Sequence, residues 1–165
     1  MLSGGELLRC QREQHHHDKR NHADILGLPK PDRLKHYGLH FAKYAGRLAR
    51  GQDEPKSIDR TIVDTFLVSL SAANTLHQNL SEANITVSSN SQFDPVYRLV
   101  DAAGRFADAC EKIDHLEEFM TIARQANIDV LKWVIEYSDE RELELEPAVH
   151  ARRKELAARQ FYVTD

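Results

Sequence analysis

This chain is short of nearly everything that would announce a chemistry. It has only two cysteines in 165 residues, Cys10 and Cys110, and they lie far apart. Neither a Cys-x-x-Cys site nor a disulfide framework can be built from them, and both are expected as reduced thiols. No apolar run approaches the about 18 residues that a membrane-spanning helix requires. The opening stretch, MLSGGELLRCQREQHHHDKR, lacks the apolar block of a signal peptide. The expectation is a cytoplasmic protein without a membrane partner. Net charge is -4, so there is no strong nucleic-acid signal. Gly-x-Ser-x-Gly, a phosphate-binding glycine loop, a dinucleotide fingerprint and His-Glu-x-x-His are all absent. Seven glycines and five prolines leave long stretches without a helix breaker.

What fills those stretches is helical periodicity, and the chain reads as one all-α domain over residues 1–165. Residues 1–28 form a polar helical arm, closed by Gly27, Pro29 and Pro31. The core spans residues 32–137. Its first helix buries Leu34, Tyr37, Phe41, Tyr44, Ala45 and Leu48 and stops at Gly51. The next runs from about residue 57 to 80, capped by Ser57, with Ile58, Ile62, Phe66, Leu70, Ala73 and Leu76 in its buried stripe. Residues 81–93 read as a polar loop with strand character at 85–87. Asp94-Pro95 opens another helix, because proline suits the first turn. Asp114 and Glu117 read as a variant capping box opening a helix that runs to Tyr137. A last helix covers residues 147–160. The expected architecture is a bundle of five to six helices.

Two segments echo each other. Ala45-Gly46-Arg47-Leu48-Ala49 resembles Ala103-Gly104-Arg105-Phe106-Ala107, and a long helix follows each. A duplicated helical hairpin is one reading. Chance likeness between amphipathic helices is the other.

Three polar constellations are candidates for chemistry. His36, His40, Lys43 and Arg47 recur at i, i+4, i+7 and i+11 and share one helix face, with Asp32 a turn earlier. They read either as a cationic groove for an anion or as a solvated face. His36, His40 and Asp32 also have the spacing of a helical metal site, with the charge of Lys43 against it. His15, Asp18 and His22 in the histidine-dense arm give a second metal candidate. The plainer reading there is a solvated arm that packs on a partner subunit.

The segment Lys43-Tyr44-Ala45-Gly46-Arg47-Leu48, followed by Thr61-Ile62-Val63-Asp64 and the apolar run through Asn74 and Leu76, carries a family likeness. It resembles the paired metal-binding helices of the all-α nucleoside triphosphate pyrophosphohydrolases, the MazG-like and dimeric dUTPase superfamily. The resemblance implies a MazG-like bundle, a homodimer, a nucleotide or other phosphate-bearing ligand, and magnesium where the protein is active. It places the ligand against His36, His40, Lys43, Arg47 and Asn74, and the metal on Asp64. Two Glu-x-x-acid pairs would hold that magnesium in the family. Here the four positions carry Tyr44, Arg47, Thr61 and Asp64, and only the last is an acid. The expectation is a divergent protein that binds or hydrolyses nucleotides, or one that has lost catalysis. The competing class is a non-enzymatic helical interaction or regulatory module.

Overall fold

In the computed structural model the described residues are 2–83, 85 and 94–159; the rest of the expected strand at 85–87 and the last residue of the expected helix over 147–160 lie outside them. Among the described residues there are seven α-helices and no strand. They are α1 (Gly4–Asn21), α2 (Ala23–Leu26), α3 (Lys30–Arg50), α4 (Ile58–Thr75), α5 (Pro95–Asp114), α6 (Met120–Glu140) and α7 (Leu145–Ala157). A 3-10 turn over Gly51–Asp53 joins α3 to α4. The count exceeds the expected five to six because the arm breaks at His22, adding the four-residue α2.

Helices α3 and α4 form one antiparallel hairpin and α5 and α6 another; α3 packs on α5 and α4 on α6. Between them Phe41 and Phe106 meet edge to face, centroids 5.1 Å apart, a preferred aromatic geometry. Trp133 is buried in the same core and donates its indole N–H to Pro95 O at 2.8 Å. The hairpins share more than topology. Arg47 reaches Asp64 across the first at 3.0 Å, and Arg105 reaches Asp129 across the second at 2.8 Å. These arginines occupy matching places in the two echoed segments, an arrangement that a duplicated hairpin would produce.

Helix α4 is the central element. It packs against α1, α3, α6 and α7, so its polar residues are buried along with its apolar ones. Their hydroxyls turn back on the helix: Thr65 donates to Thr61 O at 2.7 Å and Ser69 to Phe66 O at 2.7 Å. Such local bonds satisfy groups that would otherwise be costly to bury. Helix α1 lays one face on α4, burying Leu7, Cys10, Gln11, Gln14 and Asp18 at helical spacing. The arm is thus half core rather than solvated all round.

Ser57 caps α4 as expected, accepting from Arg60 N, while Ile58 in the first turn is exposed rather than part of the buried stripe. Helix α5 opens at Pro95 as expected, and Asp94 caps it by accepting from Val96 N. The helix C-termini differ from the sequence reading. α4 ends at Thr75, not near residue 80, and Asp114 closes α5 instead of opening α6. Helix α6 begins only at Met120, where the Glu118 carboxylate accepts from Thr121 N at 2.9 Å. Three turns explain these ends. His77, Leu116 and Glu142 follow α4, α5 and α6 with φ of 52°, 59° and 54°. The next amide closes back over each end: Gln78 N to Ala73 O, Glu117 N to Lys112 O and Leu143 N to Ser138 O. This is the Schellman arrangement, usually built on glycine. None of the three residues is glycine, so no stop signal is legible at these positions.

Leu116 is 95% exposed, so its side chain contributes almost no burial to offset the left-handed backbone. Leu116→Gly should raise unfolding stability by about 1 kcal/mol. Urea denaturation would measure it, and a loss of stability would contradict this account of the turn.

Candidate functional site

The faces of α1, α3, α4 and α7 that do not close on one another leave a cavity of about 480 Å³, with α2 and Lys56 at its margin. A volume of that order is typical of small-molecule sites. His36, His40, Lys43 and Arg47 all line it, as does Asp64. The helical spacing read from the sequence is therefore a cavity wall. Asn74 does not line it: its amide donates to Gln11 O at 3.1 Å and ties α4 to α1. Asp32 is exposed and also lies away from the cavity.

On α4 the lining residues are Asp64, Leu67, Val68 and Ser71, one helical stripe. Its two ends differ in charge. At one end Arg152 Nε donates to Asp64 Oδ1 at 2.6 Å and Arg47 to Oδ2 at 3.0 Å. Arg60 Nε lies 3.4 Å from Oδ1. Glu155 binds Arg60 at 2.9 Å and Arg152 at 3.2 Å. Three guanidinium groups thus face two carboxylates, before Lys43 and Lys56 are added from the cavity wall. The Arg47 and Arg152 side chains are only 10% and 9% exposed, so their charges are little screened.

Tyr44 supports this end. The Lys43 ammonium lies 4.9 Å from its ring centroid and the Arg47 guanidinium carbon 5.1 Å, both within cation–π range. Lys43 Nζ and the Tyr44 hydroxyl each lie 3.0 Å from His40 Nδ1. An ammonium only donates, so Nδ1 is the acceptor and the proton of neutral His40 sits on Nε2. Burial, with the Lys43 charge next, lowers the His40 pKa to about 3. His40 is a neutral acceptor at physiological pH, not a cation. Desolvation, then the Arg47 charge, also lowers the Lys43 pKa.

The other end of the cavity is built around Asp18, which is 5% exposed. Ser71 Oγ donates to its Oδ2 at 2.6 Å and Gln14 Nε2 to its Oδ1 at 2.8 Å. Arg153 orients Gln14 by donating to Oε1 at 3.0 Å. Among the described residues no cation is within ion-pair distance of Asp18, and burial raises its pKa from 3.8 to about 6. Between the two ends the wall is apolar, from Ile25, Leu26, Leu67, Val68 and Leu156.

The magnesium expected on Asp64 can be tested on the donors. Both Asp64 oxygens are taken by guanidinium groups. Asp59 pairs with Arg141 at 2.6 Å. No group of three or more His, Cys, Asp or Glu side chains among the described residues comes together in a form that could hold a metal. The residues present do not fit a magnesium cluster. The same holds for His36–His40–Asp32 and for His15–Asp18–His22.

Lys43, Arg47, His36, His40 and Asp64 were legible because one helix pair carries them. Asp18, Ser71, Lys56, Arg152 and Arg159 were missed as cavity residues. The sequence signal available for α7 was the basic cluster at 152–154, of which Arg152 goes to Asp64 and Arg153 to Glu13 and Gln14. The chain matches no protein-family model, no curated protein and no solved structure.

Two predictions rest on these carboxylates. Asp64→Ala strands two buried guanidinium groups and should cost roughly 3 kcal/mol or more in chemical denaturation. Asp18 behaves oppositely. Its folded pKa lies above its unfolded value, so the folded state binds the extra proton between about pH 4 and about pH 6. Stability then falls as pH rises through that window, by up to about 3 kcal/mol. Asp18→Asn removes the effect while leaving the other titrating groups in place. The variant's stability advantage over the parent should grow from about pH 4 to about pH 6 and level off above. A pH-independent difference would show that burial does not tax this carboxylate.

Proposed function

We propose that the protein is a metal-independent receptor for a phosphate-bearing small molecule of the nucleotide class. The observation that carries this reading is the surplus of positive charge at the Asp64 end of a ligand-sized cavity. Asp64 and Glu155 cannot neutralise Arg47, Arg60, Arg152, Lys43 and Lys56 together. A phosphate group would supply the missing negative charge.

Each residue has a role in this reading. Arg47 and Arg152 are held rigid by Asp64, so they lose little conformational freedom when an anion arrives. Each guanidinium has five N–H donors, and the pairing with Asp64 leaves some of them for oxygen atoms of a ligand. Lys43 and Lys56 add ammonium groups at the mouth, where both residues are exposed. His40 fixes Lys43 through its unprotonated Nδ1. The apolar middle wall would accept a flat ring. The likeness of the helix pair to the all-α nucleoside triphosphate pyrophosphohydrolases favours nucleotides over other organic phosphates. It makes the chain a divergent relative in which arginines occupy the place of the metal cluster. Without a cluster of acids to hold magnesium, the reading is binding rather than hydrolysis.

Thermal-shift titration with inorganic pyrophosphate, AMP and ATP in excess chelator tests it. Binding should raise the melting temperature without added metal, since ligand at 100 times Kd stabilises by about 2.7 kcal/mol. Lys43→Ala combined with Lys56→Ala should weaken binding about tenfold or more, and added salt should weaken it further. No shift with any of the three ligands would overturn the reading. Pyrophosphate release from ATP with magnesium would show that the site is catalytic instead.

A further inference from the structure

We propose that the Asp18 end of the cavity reads the base of the bound nucleotide, and that the base it selects is guanine. This rests on the nucleotide reading above and goes on to name the base.

The cavity has two unlike ends. Asp64 and Ser71 are seven residues apart on α4, so the guanidinium cluster and the Asp18–Ser71 contact lie about 10 Å apart along its axis. A base with its sugar spans a distance of that order. With the phosphate at Arg47 and Arg152, the base edge reaches Asp18.

The chemistry at that end is specific. Each Asp18 oxygen accepts one hydrogen bond from the protein, Oδ1 from Gln14 and Oδ2 from Ser71. Each has a second lone pair to offer. Arg153 holds the Gln14 oxygen, so the amide cannot flip to face Asp18 with its own acceptor. The result is a buried carboxylate among the lining residues of the cavity, fixed by Gln14 and Ser71, with one acceptor position left on each oxygen. Its complement is a pair of parallel N–H donors on one edge of a ring. Guanine carries that pair, on N1 and the exocyclic N2. Hypoxanthine keeps only N1–H. Adenine presents a bare N1 acceptor there, and would set a lone pair against the carboxylate. Leu67, Val68 and Leu156 supply apolar wall for the ring faces.

The charge balance agrees with this assignment. Burial makes the ionised form of Asp18 costly, and no ion pair among the described residues offsets it. Two N–H donors would offset that cost when the ligand binds.

The test is isothermal titration of the full chain with GMP, IMP, AMP and inorganic pyrophosphate, at about pH 8 so that Asp18 is ionised. GMP should bind at least about tenfold tighter than AMP, with IMP between them, as expected for charge-assisted hydrogen bonds gained one at a time. Asp18→Asn should bring GMP down to the affinity of AMP. A cooperative melting transition of the variant checks that it is folded. Ser71→Ala, which leaves the carboxylate in place, should retain a preference for GMP. Equal binding of GMP and AMP by the parent, or an unchanged ratio in Asp18→Asn, overturns the guanine assignment and leaves the phosphate site standing. Silence with all four ligands, pyrophosphate included, overturns both.

Discussion

The carboxylate of Asp64 is the contact on which the arrangement of this molecule turns. It sits on the central helix and holds Arg47 of α3 and Arg152 of α7 at once. Helix α7 is short and buries only Leu145, Val149 and Arg152. Apolar packing alone would hold it weakly, and the arginine fixes its rotation. Buried ion pairs carry a heavy desolvation cost and are tolerable only when well satisfied. Here both carboxylate oxygens are used, and Glu155 takes a second edge of Arg152. The same contact sets the relation of α3, α4 and α7, which are three walls of the cavity. Structure and site therefore cannot be separated at Asp64: a metal ion there would have to displace the arginines that position the walls.

That constraint also decides the sign of the cavity's field. A lone carboxylate among magnesium ligands would make the site acidic. With three arginines around it, Asp64 is overcompensated, and the surplus is positive. The neutral state of His40 matters to the same balance. Its burial among Lys43, Arg47 and His36 makes protonation costly, so it adds no charge and serves as an acceptor that steadies Lys43. The stripe that reads in sequence as four cations or half-cations is, in the fold, two cations and two histidines with lowered pKa values.

Local pattern carried much of this, and tertiary partnership carried the rest. The periodic stripes of α3 and α4 put Phe41 and Phe66 in the core, and both are buried. His36, His40, Lys43 and Arg47 were readable as one face because they lie on one helix. The helix ends after Thr75 and Asp114 were not readable, since His77 and Leu116 take left-handed backbone that glycine normally signals. Asp18 was readable only as part of a histidine-rich arm. Its meaning depends on Ser71, which lies 53 positions further along the chain. Arg152 likewise gains its role from a residue 88 positions away. Nothing local marks either partner, because both are polar residues buried by packing between helices.

Asp64 and Asp18 are both buried on one cavity, and the contrast between them is physical. Asp64 is saturated by cations, so its charge is offset within the folded chain. Among the described residues Asp18 accepts only from neutral donors, a serine and a glutamine, and burial raises its pKa. An amide of the same shape could fill that position without the electrostatic cost. A carboxylate is the better group only if something else donates to it. On the proposed reading that donor comes from the ligand, since Asp18 lines the cavity, and the guanidinium cluster about two helical turns away along α4 would meet the ligand's anionic end. The uncompensated charge at one end and the surplus of the opposite charge at the other are therefore accounted for together by the proposed dipolar ligand, where two separate explanations would otherwise be needed.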